Sequence, residues 1–280
     1  MQKRRLALVT ALNAAGMAAL ASLATAADTP HLLTVDPLTG VQASKPASWT
    51  GRRRHPSDVP ILVLAGHADS QGIEGAGTSG AAVDRRGAPP MDPRMRDELF
   101  WNRHVRDAVV AEGQARGLNI SSYEPERLSI PNPEDPDTNW SVGRRHHDSG
   151  GYALEIHFDA YGKHGVGSGL IPNLRSPATR IDESLALNFG RYPLRFRGGL
   201  GAPKRGISIL EIGKLEGALE AKLRDPISRD AVITALAHRI VEAIQLGVDA
   251  PKPQPAISSQ PDEDGNALPT MGHQTSAVDG

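Results

Sequence analysis

The stretch "ILVLAGHADSQGIEGAG", residues 61–77, changes character halfway along. It begins as an apolar run that suits a buried strand, then passes through Gly66 and His67 into small and polar residues. A tight turn would explain the glycines, which tolerate positive φ, and would leave His67 incidental. The other reading places His67 at the carboxyl end of a sheet strand, where open α/β folds hold their ligands. His67 alone does not decide between them; partners elsewhere in the chain do.

Outward from this strand, apolar periodicity alternates between strand and helix. Val59 to Ala65 is the first strand, and Asp92-Pro93 supplies an N-cap and first-turn proline for a helix to about Arg116. "LNISSY" from Leu118 reads as a short strand and Trp140 to His147 as a short helix. "YALEIHFDA", Tyr152 to Ala160, alternates strongly. A helix covers roughly Arg180 to Tyr192, and "GISILEIG", Gly206 to Gly213, is a further strand. Ser228 to Leu246 is an amphipathic helix with Val232, Leu236, Ile240 and Ile244 on its apolar stripe. The expectation is a single α/β domain, 59–250, built on a largely parallel twisted sheet flanked by helices in three layers.

The flanks read differently. Residues 1–27 have a basic start at Lys3, Arg4 and Arg5, an alanine-rich apolar run, and the small-residue pattern Ala24-Thr25-Ala26. They read as a cleaved secretory signal peptide, with a retained membrane anchor as the alternative. Residues 28–58 read as a linker carrying the basic knot Arg52-Arg53-Arg54-His55, and 251–280 as a disordered tail. The expected location is therefore the periplasm or the extracellular envelope. The 280 residues contain no cysteine, so a metal site must use histidines and carboxylates. A formal net charge of −1 argues against a nucleic-acid partner held by phosphate contacts.

Five polar residues stand where apolar ones are expected. On "YALEIHFDA", Glu155, His157 and Asp159 share the face opposite Tyr152, Leu154, Ile156 and Phe158; that face is either solvated or part of a site. Glu98 continues the helix stripe of Trp101, Val105, Ala108 and Val109, where an unpaired carboxylate costs several kcal/mol. It either bends out to an arginine or meets a metal. Glu211 shares a strand face with Ile207 and Ile209, and an ion pair with Lys214 or Lys204 is its structural alternative. Two histidines and a glutamate on separate elements, with one further glutamate, match a catalytic zinc site: three ligands, an open position and a nearby general base.

These motifs resemble the zinc-dependent N-acetylmuramoyl-L-alanine amidases, the peptidoglycan hydrolases of bacterial cell walls. Gly66-His67 and the loop to Gly80 are similar to that family's strand end and glycine-rich loop. "DELFWNRHVRDAVVAEGQARGLNI" resembles its glutamate-opened helix, "EIHFDA" its Ser-Ile-His-Ala-Asn-Ala strand end, and "GVGSGLIP" its Gly-Ser-Gly loop. "ILEIGKLEG" resembles the strand that carries its catalytic glutamate. The similarity runs from about Val59 to Val248. It implies zinc bound by His67, Glu98 and His157, Glu211 as general base, and a muramyl-peptide substrate.

The pattern departs from the family in places. The loop from Asp69 to Asp97 is long and leaves Glu74 as a rival ligand. Glu155 and Asp159 replace Ser and Asn, and Lys214 stands where Phe is usual. Asp69 or Asp159 is expected to orient a ligand histidine. Asn102 and His104 are expected at the surface, and His146-His147 as a helix cap. Two alternative functions remain: a zinc hydrolase of this fold with another amide or peptide substrate, and a non-catalytic envelope-binding protein.

Overall fold

The computed structural model describes residues 35–43, 45–196 and 199–249. The expected signal peptide and the expected tail lie outside them.

A five-stranded sheet runs in the order β4-β3-β5-β7-β6. Its strands are β3 (Ile61–Ala65), β4 (Ile120–Tyr123), β5 (Tyr152–Asp159), β6 (Gly169–Ile171) and β7 (Ile207–Lys214). All neighbouring pairs are parallel except β6 with β7. A separate antiparallel pair joins β1 (Val35–Asp36) and β2 (Gly40–Val41). The three inner strands β3, β5 and β7 are almost wholly buried, so the polar Glu155, His157, Asp159 and Glu211 stand out among their apolar residues.

One face is covered by α2 (Asp97–Ala115), α4 (Arg180–Phe189) and α7 (Arg229–Gly247). Trp101, Val105, Leu185, Phe189, Leu236 and Ile240 form that side of the core with Leu154, Ile156 and Leu210 of the sheet. The other face carries α3 (Asn139–Asp148) and the short α5 (Gly201–Lys204), where Trp140 and Ala202 meet Ile207 and Ile209. This is the expected three-layer α/β arrangement. Two further helices, α1 (Gly80–Arg86) and α6 (Gly217–Arg224), were not legible as separate elements. They are tied together by the buried Glu220, which accepts from Ala82 N at 2.8 Å and pairs with Arg86 at 2.7 Å.

Two sequence expectations need correction. The long helix does not start at Asp92-Pro93 but at Asp97, because Asp92 closes a local turn by accepting Arg94 N through Oδ1 at 2.8 Å. The backbone N–H of Arg96, at the helix start, goes to Gln71 Oε1 at 2.9 Å. Residues 45–58, expected as linker, are a strap laid on the domain. Trp49 Nε1 donates to Tyr192 O at 2.7 Å, Gly51 N to Glu183 Oε2 at 2.8 Å, and Arg180 N to Arg53 O at 2.8 Å. His55 is buried. The strap is held by backbone hydrogen bonds and single anchors, so no apolar periodicity announces it.

Candidate metal centre

The site lies at the carboxyl ends of adjacent strands, where β3, β5 and β7 stop side by side. His67 follows β3 by two residues, His157 is near the end of β5, and Glu211 on β7 is its register partner. Strand pairing therefore brings together groups separated by up to about three quarters of the domain's sequence. Glu98 arrives from the first turn of α2.

Local packing explains the glycines. His67 adopts φ 65°, a left-handed conformation that few non-glycine residues hold. Gly66 must lack a side chain, since a Cβ there would come within 2.3 Å of His157 Cε1. Gly77, at φ 89°, would place a Cβ 2.7 Å from Glu98 Oε2 and 2.9 Å from His67 Cδ2. The glycine-rich loop is thus shaped to the three side chains it surrounds.

The donor atoms of His67, Glu98 and His157 all lie within 4.8 Å of one another. Glu98 Oε1 is 3.4 Å from His67 Nε2 and 3.1 Å from His157 Nδ1. The two imidazoles meet edge to face with centroids 4.8 Å apart. Glu98 Oε2 accepts Thr78 N at 2.7 Å, which fixes the carboxylate from behind. Glu98 is 3% exposed. A buried carboxylate sharing one oxygen between two imidazoles is a mixed N/O donor set of the kind that divalent zinc accepts. The residues therefore fit the metal.

The electrostatics agree. Burial pushes the Glu98 carboxyl up, but the two imidazoles outweigh it and hold Glu98 far below the ordinary carboxylate range. Burial pushes His157 down, yet Glu155 and Glu98 on its two sides, with Glu211 beyond, hold it well above its ordinary value. The carboxylates around His157 thus favour a positive charge at this place. A dication at the same position supplies that charge.

Not every expected role survives. Glu74 is exposed in the loop and is not part of the cluster that could hold a metal. Asp69 Oδ2 accepts Asn139 N at 2.7 Å, and Asp159 Oδ2 accepts Val166 N at 2.5 Å and Gly167 N at 2.9 Å, so both organise loops. The carboxylate behind His157 is Glu155, with Oε2 3.5 Å from Nε2. Asn102 is completely buried, not on the surface, and donates to Gly66 O at 3.0 Å. Its position four residues after Glu98 puts it on the inward face of α2, a signal the sequence did carry. His104 is exposed, and His146 and His147 lie in the last turn of α3.

A cavity of about 560 Å³ opens over the cluster. Ile130, Pro131, Trp140 and Leu200 give it an apolar wall, and Glu211 lines it together with the three clustered residues. Glu211 itself is 5% exposed. Lys214, one of the two lysines that the structural alternative offered to Glu211, has its Nζ 2.6 Å from Glu216 Oε1. Among the described residues, no helix is long and apolar enough to cross a membrane.

No protein-family model matches the chain, and no curated protein matches it. Solved structures do resemble it. One is the catalytic domain of the CD27L endolysin targeting Clostridia difficile, at 16% identity over 69% of this chain and 99% of that one, TM-score 0.44. Another is the catalytic domain of CwlV, an N-acetylmuramoyl-L-alanine amidase from Bacillus (Paenibacillus) polymyxa var. colistinus: 15% identity, 66% and 96% covered, TM-score 0.43. A third is an N-acetylmuramyl-L-alanine amidase from Mycobacterium smegmatis, at 14% identity, 68% and 99% covered, TM-score 0.43.

Proposed function

We propose that the chain is an exported zinc hydrolase that cuts the amide between N-acetylmuramic acid and L-alanine in peptidoglycan. The observation that carries this reading is the convergence of His67, Glu98 and His157 within 4.8 Å beneath a cavity that Glu211 also lines. The sequence motifs that carry the resemblance occur at these same positions. Export rests on the signal-like character of residues 1–27.

Zinc, when bound by His67, Glu98 and His157, supplies a Lewis acid for the scissile carbonyl and makes water more acidic. The chain's own residues do the rest. Glu211 accepts a proton from the attacking water and returns it to the departing amide nitrogen. Its β7 position beside His157 keeps it on the sheet, where a general base is held more precisely than on a loop. Thr78 N fixes Glu98, and the bare backbone of Gly66 gives the His157 ring its seat. The apolar wall formed by Ile130, Pro131, Trp140 and Leu200 receives the body of the substrate.

The test is digestion of purified sacculi by the mature chain, with and without a chelator, followed by identification of the products. Release of peptides with a free L-alanine amino terminus, stopped by chelation and restored by zinc, is the expected result. Cleavage elsewhere in the stem would transfer the same site to another peptide substrate. Failure to cleave in the zinc-loaded protein would favour the binding-protein alternative.

A further inference from the structure

A second cavity, of about 410 Å³, lies at the other end of the sheet, where Tyr152 begins β5. The five residue steps from Tyr152 to His157 put it roughly 16 Å from the metal centre. Its walls come from three separate segments. The strap contributes Arg53 and His55, the end of α3 contributes His147, and the turn before α4 contributes Asn173.

The chemistry of this cavity is one-sided. Three basic side chains line it and no carboxylate does. Among the described residues, no carboxylate pairs with Arg53 and the His147 ring makes no hydrogen bond. His55 is 4% exposed, and its Nε2 is buried without a hydrogen-bond partner. The nearby carboxylate, Asp182, is already saturated: Oδ1 accepts Tyr152 Oη and Ser208 Oγ, and Oδ2 accepts Thr179 N and Oγ1. Asp148, close to His147, is paired with Arg175.

Asn173 adds a donor. It is 3% exposed, and its Oδ1 accepts Arg175 N, Ser176 N and Ser176 Oγ. That turn fixes which way the amide faces and leaves Nδ2 without a partner among the described residues. A buried polar group left unpaired costs about 1–3 kcal/mol, so His55 Nε2 on the wall of this cavity calls for a ligand.

We infer that this cavity is a binding site for a small oxyanion of phosphate type, held by Arg53, His55, His147 and Asn173. Donors that converge from three segments suit a tetrahedral anion, whose oxygens point in several directions, better than a planar carboxylate. Burial, and then Arg53, hold His55 below its ordinary value; burial, and then Arg175, do the same for His147. Asp182 acts on His55 and Asp148 on His147 in the opposite sense without outweighing these effects, and a bound anion would add negative charge beside both rings. The site also gives the arginine knot of the strap a use that the metal centre does not.

The experiment is an amide NMR titration of the full chain with inorganic phosphate at constant ionic strength, with sodium acetate and a simple alkyl phosphate ester in parallel. Saturable shifts at Gly150, Gly151 and Ser176, distinct from any at Gly66 and His67, are expected for phosphate. Arg53→Gln and His147→Gln, both at accessible positions, should each weaken binding about tenfold, the scale of one charge-assisted hydrogen bond. Binding of the ester as well would extend the site to phosphate groups carried on larger molecules, and its exclusion would restrict the site to the free ion. Shifts confined to the metal centre, equal response to acetate, or unchanged affinity in both variants would overturn the proposal. None of these outcomes depends on hydrolytic activity.

Discussion

The imidazole of His157 rests on the backbone of Gly66, so closely that a Cβ on Gly66 would lie 2.3 Å from Cε1 and 2.4 Å from Nε2. The contact crosses from β5 to the residue after β3, and the strand pairing that creates it ends at Ala65 and Ile156. Gly66→Ala would force the ring away from Glu98. Zinc affinity should fall by about 10- to 100-fold, the range found when the support of a metal ligand is removed. A competition titration against a chromophoric chelator measures this directly. Unchanged affinity would mean that Gly66 does not set the position of the ring.

Glu98 and Glu74 should separate cleanly in the same titration. Glu98 is buried, oriented by Thr78 N and in contact with both histidines, whereas Glu74 is exposed. Glu98→Gln is expected to lower zinc affinity by two orders of magnitude or more, about 2.7 kcal/mol. Glu74→Gln should change it little, since fixing an exposed loop side chain costs entropy that the metal would have to offset. The opposite ranking would make Glu74 the ligand.

Glu211→Gln tests the catalytic assignment. The substitution preserves volume and shape but removes the proton acceptor. Turnover on sacculi should drop by roughly two to four orders of magnitude, the usual contribution of general acid–base catalysis. Zinc content by elemental analysis should stay at the parent value. Loss of zinc together with turnover would make Glu211 a ligand, and near-parent turnover would make it structural.

A fourth prediction concerns the strap and acid. Burial raises the Glu183 carboxyl, but Arg191 and the Gly51 N–H outweigh it and hold it below its ordinary value. A carboxyl depressed on folding stabilises the native state above its unfolded pKa, and that stability is lost as pH falls through the folded value. Glu183→Gln should therefore cost about 1–3 kcal/mol at pH 7. The difference from the parent should shrink below about pH 4.5, where the unfolded carboxyl begins to protonate. Denaturant melts at several pH values read this out. A pH-independent difference would place the effect of Glu183 in packing and not in charge.

The sequence made the inner sheet readable because its strands are buried on both sides, so that Glu155, His157 and Glu211 interrupt runs that should be apolar. Glu98 was visible for the same reason on a helix. Asn102 was misread because its polarity outweighed its spacing from Glu98, which places it on the inward face; which backbone it would serve, here Gly66 O, the sequence does not say. The strap escaped because Trp49, Gly51 and His55 anchor it one residue at a time. The start of α2 was misplaced because Asp92 makes the same kind of side-chain-to-backbone bond in a turn as it would in a helix cap. Glu155 was seen on the correct face, but its place behind His157 followed only once the second neighbour of the ring, Glu98, had been located.

The left-handed backbone at His67 implies a trade between durability and purpose. Held at φ 65°, a histidine gives up about 1 kcal/mol or more relative to glycine, which adopts that conformation freely. Variants selected only for heat resistance would be expected to replace His67 with Gly or Asn and lose the metal centre. A chain kept merely as a scaffold would drift in that direction; one that retains histidine there accepts a weaker fold in exchange for what the imidazole does.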